Sequence, residues 1–167
     1  GIGNDNSRTV SVWIKTTETG SIVSWGSNNA GQLFNLRIND GSDGTLANTL
    51  RLDVGGGGHI TGSTIIRDNQ WHHLAVTFDN TSGGDVTDAK LFVDGKQETI
   101  SSSQTQTLNT AFASDVTLGY NTLGGRYEGL IDAVRLYDRA LSNSEVANTA
   151  SAPNSPAVIK GVNATAI

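Results

Sequence analysis

Short runs in which apolar and polar residues alternate recur along the chain, and clusters of Gly, Asn, Asp and Ser end them. In Arg8 to Ile14, Val10, Val12 and Ile14 share one face and Thr9, Ser11 and Trp13 the other, the period of two that marks a strand. Ile22, Val23 and Trp25 form a second strand. Gln32 to Ile38 sets Phe34, Leu36 and Ile38 against Leu33, Asn35 and Arg37; Thr49 to Val54 sets Leu50, Leu52 and Val54 against Arg51 and Asp53. Ile60 to Ile66 is a weaker strand, and Trp71 to Asp79 a strong one with Leu74, Val76 and Phe78 inward. Ala89 to Val93 and Gln97 to Ser101 flank Asp94-Gly95, a two-residue hairpin signal. Thr110 to Ala113 leads into Val116 to Tyr120. Leu130, Ile131, Val134, Leu136 and Tyr137 then make an apolar run, expected to feed the core, with Asp132 set into it. Ser142 and Glu145 have capping-box spacing and open a short helix. About ten to twelve strands and one terminal helix predict an all-β, antiparallel two-sheet sandwich.

Composition supports that reading and narrows the function. The 167 residues are most simply one domain over 1–150, with 151–167 (SAPNSP, then AVIKGVNATAI) a linker or a strand leading to a following module. Twenty Gly and 36% hydrophobic residues suit short strands joined by turns. A net charge of −5 argues against nucleic acid, which calls for a basic surface. With no Cys there is neither a disulfide framework nor a thiolate metal site. No apolar run approaches the ~18 residues of a membrane span. The chain does not begin with Met and opens on a polar, flexible segment rather than a signal peptide, so it is read as an excised or processed module of something longer.

Three segments in this order, WHHLAVTFD (71–79), LFVDGK (91–96) and YEGLIDAVRLYDRALSNSEV (127–146), with RTVSVWIK (8–15) and IVSWG (22–26) before them, resemble the laminin-G-like, concanavalin-A-like jelly-roll superfamily in its bacterial branch. The resemblance covers roughly residues 8–150. It implies two curved sheets packed face to face, the concave one often carrying a ligand groove. It also implies carbohydrate or protein binding, frequently with a structural calcium. Such modules usually have one more strand before RTVSVWIK; here it lies upstream or is replaced by the tail.

Five chemistries can be set against that frame. Hydrolases of this fold use a Glu-x-Asp-x-x-Glu strand, and no such run occurs; Asp40 with Asp43 and Asp85 with Asp88 sit in polar turns. His72 and His73 are adjacent, so on a strand they point to opposite faces and cannot chelate one ion. Gly55 to Gly58 lack the Lys-Ser or Lys-Thr of a phosphate loop and are expected as a flexible hairpin turn. Asp132, a carboxylate in an apolar strand, needs a partner: Arg135, a backbone N–H or a calcium ion. The resemblance favours calcium there, with Asn4 or Asp5 completing the shell. Sugar binding calls for aromatic rings beside amides, carboxylates and Arg. Trp25 with Asn28 and Asn29, Arg37, Asp53, His59, and Tyr120 with Asn121, Arg126 and Tyr127 lie where a rigid sheet presents such groups. Trp13 and Trp71 are expected in the core, and Trp25 fits either place.

The expectation is a non-catalytic carbohydrate-binding module of a larger secreted or cell-surface, adhesin-like bacterial protein, helped by a structural calcium. The partner is a glycan or polysaccharide; the alternative is a protein–protein adhesion or spacer domain. Exposed aromatics beside Asn and Arg favour the first, a flat Thr/Ser face the second.

Overall fold

The structure is a computed structural model that describes residues 2–111, 114–121 and 125–151. Of the tail predicted at 151–167, Ser151 ends the helix and 152–167 lie outside the described residues, as does the end of the strand predicted at 110–113. In chain order the strands are β1 Arg8–Lys15, β2 Gly20–Gly26, β3 Leu33–Ile38, β4 Thr49–Asp53, β5 His59–Ile65, β6 Trp71–Phe78, β7 Lys90–Val93, β8 Lys96–Gln97, β9 Ser102–Gln104, β10 Thr117–Leu118, β11 Tyr120–Asn121, β12 Gly125–Arg126 and β13 Leu130–Tyr137. They are followed by the helix α1, Asn143–Ser151. One sheet has the order β13-β1-β6-β7-β8 and the other β10-β2-β3-β4-β5-β9, with β11 and β12 as a small separate pair. All described pairings are antiparallel, both between consecutive strands and between strands distant in sequence.

The alternating patterns become a two-layer core. Val10, Val12, Ile14, Leu74, Val76, Phe78, Leu91 and Val93 from the five-stranded sheet meet Phe34, Leu36, Ile38, Leu50, Leu52, Val54 and Ile60 from the six-stranded one. Asp94 and Gly95 both take positive φ, 50° and 75°, and close the predicted hairpin between β7 and β8. The capping box forms: the Ser142 N–H donates to Glu145 Oε2 at 2.8 Å, and the Glu145 N–H to Ser142 Oγ at 3.3 Å. Helix α1 lies on the outer face of the five-stranded sheet, where Leu141 and Val146 bury Ala75 and Phe92.

Several expectations need correction. Among the described residues β13 lies at the edge of its sheet and feeds the core only in part; Leu130 is 57% exposed. Between the pairs Ser11–Arg135 and Trp13–Asp132 its register slips by one residue. Ala133 takes up that bulge at φ 50°. The bulge resets the alternation, so Ile131 and Val134 both reach the core while Asp132 turns out to solvent. Trp71 is exposed, and Trp13 stands half-buried on the outer face, edge-on to His73 at 5.4 Å.

The opening segment is held rather than loose. Asn4 bridges to Thr110 through paired backbone hydrogen bonds of 2.8 and 2.9 Å. The four-glycine turn is held too. Gly55, Gly56 and Gly57 have φ of 80°, 64° and 88°, and a Cβ on Gly55 would run into the Asn29 carbonyl oxygen. Gly55→Ala combines that clash with left-handed strain. It is expected to cost about 2–4 kcal/mol of unfolding free energy, measured as a lower urea midpoint; an unchanged midpoint would contradict this close approach.

Candidate functional site

The side chains of β2 to β5 that point away from the core form two polar rows across the six-stranded sheet. Pairing aligns Thr117, Ser24, Asn35, Asp53, His59 and Gln104 in one row. It aligns Ser21, Arg37, Arg51, Thr61 and Ser102 in the next. Although they face outward, Ser21, Ser24, Asn35, Arg51, His59 and Thr61 are all buried. A cavity of about 230 Å³ opens beside Ser24, lined also by Asn28, Asp115, Thr117, Tyr120 and Asn121. A second, of about 190 Å³, is lined by Arg37, Asp53 and the four-glycine turn. Asn35 stands in register between Ser24, which lines the first, and Asp53, which lines the second. It is 1% exposed, and among the described residues neither its amide nitrogen nor its amide oxygen has a hydrogen-bond partner. Thr61 Oγ1 and Ser21 Oγ on the neighbouring row are unpartnered as well. Buried polar atoms without partners are uncommon in folded proteins, and clusters of them point to a ligand or ordered solvent.

The charged members form one network. Asp53 accepts the Nε–H of Arg37 at 2.6 Å on one carboxylate oxygen and the Nε–H of Arg51 at 2.7 Å on the other. Arg51 reaches on to Asp43 at 2.7 Å. The Thr45 hydroxyl, with Arg51, holds the Asp43 carboxyl well below the usual carboxylate range. His59 is fixed through both ring nitrogens, Nδ1 lying 2.8 Å from the Gly57 carbonyl and Nε2 3.3 Å from Ser102 Oγ.

Eight of the ten sugar-site candidates, Trp25 among them, lie at or beside these two cavities. Arg37, Asp53 and His59 share the sheet face. Asn28, Tyr120 and Asn121 line the first cavity, and Arg126 stands with its guanidinium 5.7 Å over the Tyr120 ring. Tyr120 is 45% exposed, and the Asn121 amide donates to Ser24 Oγ at 2.6 Å. Asn29 borders the same loop but spends its amide on Ser27 and Gln32.

Trp25 borders the first cavity but turns its ring into the core, and Tyr127 lines neither cavity. Trp25 stacks on Phe34 inside the core at 4.4 Å, because Ser24 takes the outward position and its neighbour must point in. The buried Tyr127 hydroxyl lies 3.1 Å from the Leu130 carbonyl, and burial pushes its pKa up to about 12. Sequence reasoning passed over Asn35 and Arg51 although it placed both on polar strand faces; their alternation with core residues was the available signal. Ser24 and Thr61 carry no signal of their own.

The calcium set does not assemble. Asp132 pairs with Trp13, five residues along β1 from Arg8, or roughly 17 Å at strand rise. Asn4, by contrast, lies at the Arg8 end. The Asp132 carboxylate accepts the Ala133 N–H at 2.7 Å, so the bulge itself supplies the partner that the acid needs. At the other end the carbonyls of Ile2, Gly3, Asn4 and Asn6 all accept from the Arg8 guanidinium. These carbonyls thus already serve a side-chain cation. Among the described residues no three His, Asp or Glu side chains converge on a metal position. His72 and His73 diverge as expected, His72 toward Asp94 and Asp68 at the sandwich edge and His73 beneath α1.

No curated protein matches the chain. Among solved structures it is similar to domain 4 of AbnA, a GH43 extracellular arabinanase from Geobacillus stearothermophilus, in complex with arabinotriose. Identity is 26% and the TM-score 0.64, over 87% of this chain and 66% of that one, so the chain spans just under two thirds of that relative. The Ruminococcus gnavus IT-sialidase CBM40 is similar in fold at 16% identity and a TM-score of 0.59, over 87% of this chain and 83% of that one. Mouse laminin alpha1 domains LG4-5 share the fold at 14% identity and a TM-score of 0.59, over 86% of this chain and 38% of that one. The family model described as the Concanavalin A-like lectin/glucanases superfamily matches residues 2–147. With its two packed antiparallel sheets, this chain belongs to the laminin-G-like part of that superfamily.

Proposed function

We propose that the domain is a non-catalytic carbohydrate-binding module, carried outside the cell by a larger adhesin-like bacterial protein, and that the glycan lies along the polar face of the six-stranded sheet. The observation that carries this is the pair of cavities on one row with the unpartnered Asn35 amide between them. Sugar hydroxyls both donate and accept, which is what an amide, two guanidiniums, a carboxylate and small hydroxyls on one rigid face can satisfy. Tyr120 supplies an exposed ring at the rim, one of the three aromatics on which the sugar reading turned. The arabinanase domain, similar at 26% identity and solved with arabinotriose, supports the same reading. Catalysis is disfavoured because both Asp53 oxygens are committed to guanidinium N–H groups, leaving this carboxylate neither a free base nor a nucleophile.

A glycan array followed by calorimetry on the hits tests the proposal. Tyr120→Ala and Asn35→Ala are each expected to weaken binding ~10-fold or more, equivalent to about 1.4 kcal/mol. Asn35→Ala removes no hydrogen bond within the protein, so its unfolding midpoint should stay near that of the unsubstituted chain. If no glycan binds, or if both variants bind as the parent does, the groove is not a sugar site and the spacer reading takes over.

A further inference from the structure

Resting on the carbohydrate reading, we infer that this face selects uncharged sugar chains and rejects those bearing carboxylates or sulfates. A protein holds an acidic sugar with a guanidinium free to meet it, often through two parallel hydrogen bonds. The groove has two guanidiniums on the sheet, and both are already engaged. Arg37 and Arg51 are cross-strand partners, and Asp53 lies two residues beyond Arg51 on the same face. It ties their Nε–H groups together at 2.6 and 2.7 Å. Each arginine then runs toward a second acid on the turn that joins β3 to β4. Arg51 lies 2.7 Å from Asp43, and Arg37 lies 3.7 Å from Asp40.

Both of those outer carboxyls are held below the ordinary range, Asp43 first by Thr45 and Asp40 first by the Ser42 N–H, so they stay ionised wherever the domain is folded near neutral pH. Three carboxylates therefore surround two guanidiniums, leaving this part of the face with one negative charge in excess. The two arginine side chains are only 12% and 6% exposed. Solvent screens them weakly, so the local sign matters to an approaching ion. At the first cavity Asp115 contributes an acid to the lining and Arg126 a cation over the Tyr120 ring, which offset one another.

An incoming carboxylate would meet a negative field and would have to share each cation with the carboxylates already paired to it. A hydroxyl breaks nothing: it can donate to lone pairs left on the carboxylates or accept from the arginine N–H groups that remain. The same residues that bind neutral sugars would thus repel acidic ones, which is selection by a repulsive element.

The test uses each neutral oligosaccharide that binds the domain, paired with its own form in which primary alcohols are oxidised to carboxylates. Calorimetry at low and high salt reads both. The oxidised chain is expected to bind ~10-fold or more weakly at low salt, with the gap narrowing as salt screens the charges. Asp53→Asn, which leaves two guanidiniums without their shared acid, should narrow the gap further or reverse it. Should that variant unfold, the double variant Asp40→Asn, Asp43→Asn at the exposed turn should narrow it instead. Equal or tighter binding of the oxidised chain by the parent domain overturns the inference while leaving the sugar site standing. A gap that these variants leave unchanged removes its assignment to this network. A parent that binds neither form overturns the carbohydrate reading itself.

Discussion

Arg8→Met is expected to lower the unfolding free energy by about 2–4 kcal/mol, because it leaves several buried carbonyls without their charged donor. The guanidinium lies wholly inside the protein, 5.4 Å from the Phe34 ring and 5.7 Å from that of Phe78. Its N–H groups reach Asn6 O at 2.8 Å, Asn4 O at 2.6 Å, Gly3 O at 3.3 Å and Thr110 Oγ1 at 3.0 Å, with Ile2 O as a further acceptor. Burial lowers its pKa to about 10, which still leaves it charged at neutral pH. Met keeps the apolar stem but leaves those carbonyls without a donor, and an unmade buried hydrogen bond costs more than a made one contributes. The opening segment would then leave the sheet, taking with it the Ile2 carbonyl that accepts from Trp25 Nε1 at 3.2 Å. Arg8→Lys should recover part of the loss, since it restores the charge with fewer and less forked donors. Urea titrations of the three proteins decide the matter. A Met variant within ~1 kcal/mol of the parent would show that the arginine is not the anchor.

Acidification from about pH 6.5 to about pH 4 is the second large effect, and it traces to His73. This ring is buried under α1, with Nε2 3.2 Å from both Ser11 Oγ and Thr149 Oγ1 and Nδ1 without a partner. Burial lowers its pKa from 6.5 to about 4; Asp94 opposes the change and Arg135 adds to it. The folded state therefore keeps the ring neutral while the unfolded chain takes a proton below pH 6.5. Because the unfolded state binds more protons in that window, stability falls as pH falls through it and levels off below the folded pKa. The full loss is up to about 3 kcal/mol. His73→Gln keeps a polar side chain that does not titrate and should flatten this part of the profile. The depressed carboxyls overlap this window only at its acid end. Glu145, held down to about 2 first by Arg139, gives up its contribution only as pH falls from 4.5 toward that value. Asp43 acts over a still lower range, starting from 3.8. An identical slope between pH 6.5 and 4 in parent and variant would assign the effect to other groups.

The sequence by itself determined the class of fold, because an alternating strand declares its two faces locally. Phe34, Leu36 and Ile38 had to face one way and Asn35 and Arg37 the other. The Asp94-Gly95 hairpin and the Ser142–Glu145 cap were legible for the same reason: each is closed by residues within four positions of one another. Half of the site was legible as well, since Arg37, Asp53 and His59 stand out as charged or titratable groups on such strands.

What alternation does not carry is which strands become neighbours, and the site depends on that. Asn35 gained its place between two cavities only when β2 and β4 paired on either side of β3. Asp53 became a bridge only when register put Arg37 opposite Arg51. Asp132 looked like a metal ligand because a regular strand would have held it among apolar residues. One extra residue in the bulge turned it to solvent and gave it a backbone N–H. Arg8 read as an ordinary strand end, yet Phe34, Phe78 and Thr110 close over it from three distant parts of the chain. Local periodicity determines which way a side chain points. Only the packing of segments far apart in sequence decides what it meets there, because pairing order, register slips and loop closure are set by contacts across the whole domain.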